Sequence, residues 1–316
     1  MQIDVMTILW AIVHVVLIAA VAPFVEGVIR TAKARMQSRR GAGPLQPYRD
    51  LWKYLRKDAV FSEHSSWLSH FTPYISIAGM LTVGLMIPMV EMHAPLAWAG
   101  DFLLMLYLFG LVRFFTTLTA YDAGSSFGGM CSVRDLMLSA IAEPAMILGA
   151  MAILLKIGTM NLVQAVVVID AKPDLILEPT YVLALIAMGI VLIAETGRIP
   201  VDNPDTHLEL TMIHEGMLLE YSGRYLGLML WAAQIRQVVL YSIFIALFCP
   251  WGMVMGASVG AWALALGCFV VKLLVLGLVL AVVETLYAKM RLFLAPKLLA
   301  SSMVLSVLAI VITVVK

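Results

Sequence analysis

Eight apolar stretches, near residues 5–26, 71–90, 101–120, 136–157, 179–195, 225–248, 258–284 and 298–315, constrain this chain more than any other feature. A helix needs roughly 20 apolar residues to cross about 30 Å of hydrocarbon. Inside lipid each backbone N–H and C=O must be satisfied internally, so runs of this length cross as helices. A further run at 160–169 is too short to span and reads as a half-inserted piece. With 62% hydrophobic and 13% charged residues, and a mean hydropathy of +0.97, too little polar side chain remains to clothe a water-soluble domain. The expectation is an all-α, polytopic membrane helix bundle of about eight transmembrane helices, forming a single integral membrane domain over residues 1–316. A basic loop at 27–70 and a polar loop with a short helix at 195–224 interrupt it.

Lysine and arginine give the orientation. The loop at 27–70 carries Arg30, Lys33, Arg35, Arg39, Arg40, Arg49, Lys53, Arg56 and Lys57, which assigns it to the cytoplasm. Alternation puts the loops at 121–135, 196–224 and 285–297 on the same side, with Arg134, Arg198, Arg224, Lys289, Arg291 and Lys297. Lys156, Lys172 and Lys316 fall opposite, and both termini are expected to face away from the cytoplasm. The first run lacks a basic lead-in and a small-residue cleavage site, so it is expected to stay as a span rather than leave as a signal peptide.

Cys131, Cys249 and Cys268 are isolated, with no C-x-x-C pair, so no iron–sulfur or zinc site is expected on this chain. No internal repeat is evident, and no nucleic-acid partner is expected at a net charge of +1.

The polar stretch ETGRIPVDNPDTHLELTMIHEGMLLEYSGR, residues 195–224, stands between two apolar runs. Pro200 and Pro204 remove donors and extend the residues before them, so 198–203 is expected to be irregular loop. Thr206 and Glu209 form a T-x-x-E capping box, which starts a short helix running toward Leu219. His207 and His214 share a face of that helix, but seven residues apart they are badly spaced for zinc.

Buried charges form a second group. Arg113 lies mid-span, where a cation costs about 2.5–3.5 kcal/mol even on lenient scales, so it should face the bundle and find Glu143 or Glu195. Pro144 frees a backbone carbonyl beside Glu143. Ser132 to Asp135 reads as a capping start that puts Asp135 at the cytoplasmic boundary. Gln234, Arg236 and Gln237 interrupt the sixth span, and Lys272 and Glu284 sit in the seventh. A structural Arg113–Glu143 ion pair without transport is the plain alternative to a proton path.

The order Glu195, Arg198, Pro200, Asp202, Glu209, Leu210, then Glu220-Tyr221-Ser222, resembles the E-T-x-R-x-P-x-D…E-L…E-Y-S signature of the complex I subunit 1 family, a membrane component of NADH-quinone oxidoreductases. Arg35, Gln37, Arg39, Gly43-Pro44, Gln46-Pro47, Asp50 and Lys53 are similar to the pattern after that family's first helix. VDNPDTHLELTMIHE followed by LEYSG, and Ala288-Lys289 with Arg291-Leu292-Phe293, are similar to the branch found in energy-converting [NiFe] hydrogenases of the hydrogenase-4 and formate hydrogenlyase type. Glu209 and Glu220 stand about one helical turn further apart than in the quinone-reducing branch, and its arginine-rich P-R-x-R-x-D motif is reduced here to Arg291.

The resemblance implies a non-catalytic membrane subunit that docks a cytoplasmic arm and couples electron transfer to proton or sodium translocation. The implied partners are [NiFe] hydrogenase large and small subunits, an iron–sulfur protein and antiporter-like membrane subunits in the same bilayer. Nickel–iron and iron–sulfur centres would sit on those partners and none on this chain. The implied proton path is Glu143, Glu195, Glu209, Glu215, Glu220 and Glu284 with Arg113 and Lys272; the implied junction is Gln37, Arg39, Arg40, Arg198, Asp202, Asp205, His207, His214 and Arg224. A complex I subunit lining a quinone site, a stand-alone secondary ion transporter and a purely structural anchor remain open.

Overall fold

The computed structural model describes residues 5–202, 212–254 and 259–315, and among them only helices, turns and two isolated bridges occur. Among these residues ten α-helices follow in order: α1 Val5–Met36, α2 Gln46–Leu55, α3 Trp67–Met86, α4 Phe102–Asp122, α5 Ser126–Ile157, α6 Leu162–Ala171, α7 Pro179–Glu195, α8 Gly223–Phe248, α9 Val259–Leu286 and α10 Ala295–Val315. Six of these are long and apolar enough to cross a membrane, drawn from α1, α4, α5, α8, α9 and α10. α3, with polar residues in its first turns, and the 17-residue α7 complete the eight expected runs. α7 is about 26 Å long at 1.5 Å per residue. α6 is the ten-residue piece expected to be half-inserted; Asn161 caps it and ties its start to Ala97.

Two boundaries differ from the sequence reading. α1 runs ten residues past the end of its apolar stretch, so Glu26, Arg30 and Lys33 are helical and much of the basic loop's start is helix. Ser38 takes positive φ and ends it. α5 begins at Ser126, so Ser132 to Asp135 is helix interior and caps nothing; Asp135 is buried in the bundle. The cause is Ser125, in extended conformation, which starts the helix two turns earlier.

α8 lies at the centre, packed on α1, α2, α3, α6, α7 and α9, while α10 closes the far side against α5 and α7. Small residues set the close approaches. Gly149 of α5 receives Met188 of α7, and Ser302 of α10 donates to the Ala187 carbonyl of α7 at 2.8 Å. α2 folds back along α1: Tyr48 donates to the Ala20 carbonyl, and Tyr54 lies against Gly227 of α8. Arg56 stacks on the exposed Trp52, and Trp67 opens α3 on the surface.

The return of the chain over α1 depends on Gly27, where a Cβ would stand 2.0 Å from the Pro44 carbonyl oxygen. Gly27→Leu should lower stability by about 1–3 kcal/mol through displacement of that loop. Gly267→Ala, with open space around it, should be near neutral. Thermal unfolding of the detergent-purified variants checks the contrast.

Candidate functional site

The site is a pair of buried charge clusters at one end of the bundle, joined across a cavity of about 200 Å³. Its polar wall includes Glu26, Glu195, Arg198, Asp202, His214 and Arg236, and Met80, Val112 and Met229 supply apolar wall.

Arg113 of α4 centres the first cluster. Its guanidinium reaches Glu195 of α7 at 2.7 Å, Asp135 of α5 at 3.4 Å, and Glu143 of α5. Both acids offered by the sequence are its partners, and Asp135 is a third that a cap reading hides. Glu195 is shared with Arg236 of α8. Arg113 and Glu195 are almost fully buried, whereas the Glu143 side chain is 39% exposed. Glu143 opens on a groove lined by Leu106, Tyr107, Gly110, Leu111 and Phe114 of α4 and Ile147 of α5.

Arg198 centres the second cluster. It follows α7 directly, in a run of turns from Thr196 to Val201 that makes up the described part of the irregular loop expected at 198–203, with Ile199–Pro200 cis. Arg198 meets Glu26 of α1 at 2.7 Å, Glu284 of α9 at 3.2 Å and Gln237 of α8 at 3.0 Å. Burial by itself would lower its pKa, but the Glu26 carboxylate, and Glu284 with it, drive it up, so it stays charged. Lys33 adds a contact to Glu284 at 3.4 Å and Arg30 one to Glu26 at 2.6 Å. Gln237 passes the network to Tyr241 at 3.1 Å. Glu26 was legible only as the end of an apolar run; its i,i+4 spacing to Arg30 was the available signal.

His214 joins the pieces. Its Nδ1 and backbone N–H meet Asp202 at 3.2 Å, and its Nε2 meets Asp135 at 3.4 Å. Gly197 passes so close that its Cβ would lie 2.9 Å from Nδ1. Asp202 is also held by Lys289, 3.5 Å away, and the Met290 N–H donates to the Pro200 carbonyl, so the chain after α9 is tied to this loop. Burial disfavours the charged ring, yet the hydrogen bond to Asp202 and the Asp135 and Asp202 charges outweigh it and raise the His214 pKa above the ordinary histidine value.

The remaining sequence-derived residues fall in three places. Glu215, in a short 3-10 turn, lines the cavity. Lys272 donates to the carbonyls of Cys249 and Trp251, so it caps the end of α8, away from both clusters. Gln37, Arg39, Arg40, Glu220 and Arg224 are exposed; Arg39 bonds Gln37, and Arg224 stacks on Tyr225. Asp205, His207, Glu209 and the expected helix start at Thr206 lie outside the described residues, but the expected run of that helix toward Leu219 is not found: from Met212 the chain goes through turns and the short 3-10 turn Glu215–Leu218, with His214 before it. Among the described residues no group of three His, Cys, Asp or Glu is disposed to hold a metal ion.

Removing Arg113 would leave Asp135, Glu143 and Glu195 without the cation they share inside the bundle. Arg113→Leu is expected to cost about 3–5 kcal/mol, and Arg113→Lys, which cannot reach three partners at once, to fall between it and the parent in denaturant or thermal unfolding. The raised His214 pKa fixes a sign: its contribution to stability is complete below about pH 6.5, the unfolded value, and fades as pH rises through the folded value. The stability gap between the parent and His214→Gln should therefore be larger at pH 6 than at pH 9.

A family profile described as NADH dehydrogenase matches residues 8–315. Formate hydrogenlyase subunit 4 of Escherichia coli (strain K12) is 35% identical over 293 residues, 93% of this chain and 94% of the relative. Hydrogenase-4 component C of the same organism is 32% identical over 286 residues, 90% of this chain and 89% of the relative. A subunit of the NADH-quinone oxidoreductase of Koribacter versatilis (strain Ellin345) is 26% identical over 260 residues, 76% of this chain and 60% of the relative. A chain of the membrane-bound sulfane sulfur reductase, an archaeal respiratory membrane complex, has the same fold, with a TM-score of 0.83 at 20% identity over 98% of this chain and 100% of that one.

Proposed function

As the chain belongs to the NADH dehydrogenase family of complex I subunit 1-like membrane proteins, we propose that it is the membrane subunit of an energy-converting [NiFe] hydrogenase of formate hydrogenlyase type. In this reading it carries out no catalysis alone. It holds a cytoplasmic hydrogenase and iron–sulfur arm, with nickel–iron and iron–sulfur centres on those partners, and links their electron transfer to proton or sodium movement in neighbouring antiporter-like subunits. The location is the bacterial inner membrane, with the basic loop cytoplasmic and both termini periplasmic. The identity to the two hydrogenase-complex subunits, over nine-tenths of the chain, favours this reading over a quinone-reducing complex I subunit.

The observation that carries the coupling role is the buried acid chain. Glu195 and Asp135 lie inside the bundle, Glu143 comes out on an apolar groove of α4 and α5, and one guanidinium holds all three. A carboxylate partly open to hydrocarbon is costly, and a neighbouring membrane subunit with a polar group at that level would cover it. Gln37, Arg39 and Arg40 lie exposed on the side where an acidic arm surface would dock.

Gentle detergent purification of the tagged chain from its native membranes is expected to bring down a nickel-containing large subunit and to release hydrogen with a low-potential donor. Flavin and NADH-oxidising subunits with quinone reduction, and no hydrogen chemistry, would assign it to complex I instead. Glu143→Gln and Glu195→Gln should each lower ion translocation per electron transferred by about tenfold or more once assembly is verified. Unchanged coupling in both would leave the acids as structural ion pairs.

A further inference from the structure

His214 stands between two acids that belong to different parts of the network. Asp135 on its Nε2 side belongs to the Arg113 cluster with Glu143 and Glu195, while Asp202 on its Nδ1 side belongs to the loop after α7 and is held by Lys289. Among the described residues, no other histidine bridges two carboxylates. The charged groups that face the ring come from each packed element: Asp135 from α5, Asp202 from the loop, Glu195 from the end of α7 and Arg236 from α8.

The ring is where the two groups of charge meet. Arg113 and Arg236 stand against Asp135, Glu143 and Glu195 on one side, and Lys289 stands against Asp202 on the other. A protonated ring adds positive charge between Asp135 and Asp202, and a neutral ring withdraws it from both at once. Loss of the ring proton therefore raises the demand for a proton at both neighbouring acids. The ring also faces the cavity that separates the two clusters, so its protonation is coupled to both.

We propose that His214 is the proton relay between Asp202 and Asp135, and so the gate through which the loop after α7 feeds the Arg113 acid chain. Imidazole suits this task because its two nitrogens are separate proton sites on opposite edges of one ring. The charged ring gives its Nε2 proton to the Asp135 carboxylate and becomes neutral. The neutral ring then holds its one proton on Nδ1; once that proton has passed to Nε2 by exchange in the cavity the ring faces, the bare Nδ1 takes a proton from a protonated Asp202, which returns to carboxylate and leaves the ring charged as at the start. One proton moves, no electron is transferred, and no group is left altered; the reverse sequence serves the opposite direction. The raised pKa is in keeping with a ring that is charged at rest and loses its proton only when Asp135 demands it. Gly197, whose lack of a Cβ admits the ring edge, keeps Nδ1 against Asp202.

This inference rests on the proposed coupling role, and its test keeps the two apart. The native assembly carrying His214→Gln would be reconstituted in proteoliposomes, with hydrogen release and internal pH read on the same sample. Glutamine can bond both acids but cannot carry a proton between them. The protons moved per hydrogen released should fall about tenfold or more, and the remaining movement should lose its dependence on pH between about 6 and 9. An unchanged ratio with an unchanged pH profile overturns the relay. A parent assembly that moves no protons overturns the coupling role itself, whatever the variant does. Should His214→Gln not assemble, the parent chain labelled with ¹⁵N-histidine decides the matter: a ring that exchanges between charged and neutral forms over that range is expected, and one fixed in a single form overturns the relay.

Discussion

A guanidinium placed in the interior of a membrane bundle must be surrounded by acids, and the rest of this structure is arranged to meet that need for Arg113. α4 carries the cation, α5 brings Asp135 and Glu143, α7 ends on Glu195, and α8 adds Arg236 to share it. Four helices are therefore held in register by one ionic centre, in a medium where breaking any part of it leaves a bare charge. Apolar packing alone would not choose that register, because hydrocarbon side chains are nearly as well satisfied by lipid as by one another.

The second centre follows the same logic with a different purpose. Arg198 sits on a loop rather than a helix, and the acids that hold it come from α1 and α9. A loop fixed by buried charge at both Arg198 and Asp202 is rigid where most connectors are not. It ties the chain after α9 to the end of α7 through Lys289 and Met290. The cavity between the two ionic centres provides room for rearrangement.

Two of the readings that went astray in the sequence share a cause. Asp135 follows a serine by three residues, which is the signal of a helix start, and Glu26 ends an apolar run, which is the signal of a span boundary. In both cases the helix continues, because a polar residue that finds a buried partner costs the helix nothing and ends nothing. Local patterns register that a polar residue interrupts an apolar run. They carry no information about whether a partner waits on another helix. Lys272 shows the converse: an intramembrane cation that invites a functional reading is satisfied by the carbonyls of Cys249, the C-cap of α8, and of Trp251 in the turn beyond it.

What the sequence determined by itself was the class, an all-α polytopic membrane bundle, since hydrocarbon thickness and backbone satisfaction leave a long apolar run one way to cross. It also determined that Arg113 must face inward to an acid, because the cost of the alternative is large and local. Only the tertiary structure decided which acids those were, that Glu26, Arg198 and Glu284 form a second centre, and that His214 bridges Asp135 to Asp202. The members of these clusters are separated by tens to hundreds of residues along the chain. Ion pairing depends on distance in space, and that distance is set by how the helices pack on one another, which no periodicity within a single helix encodes.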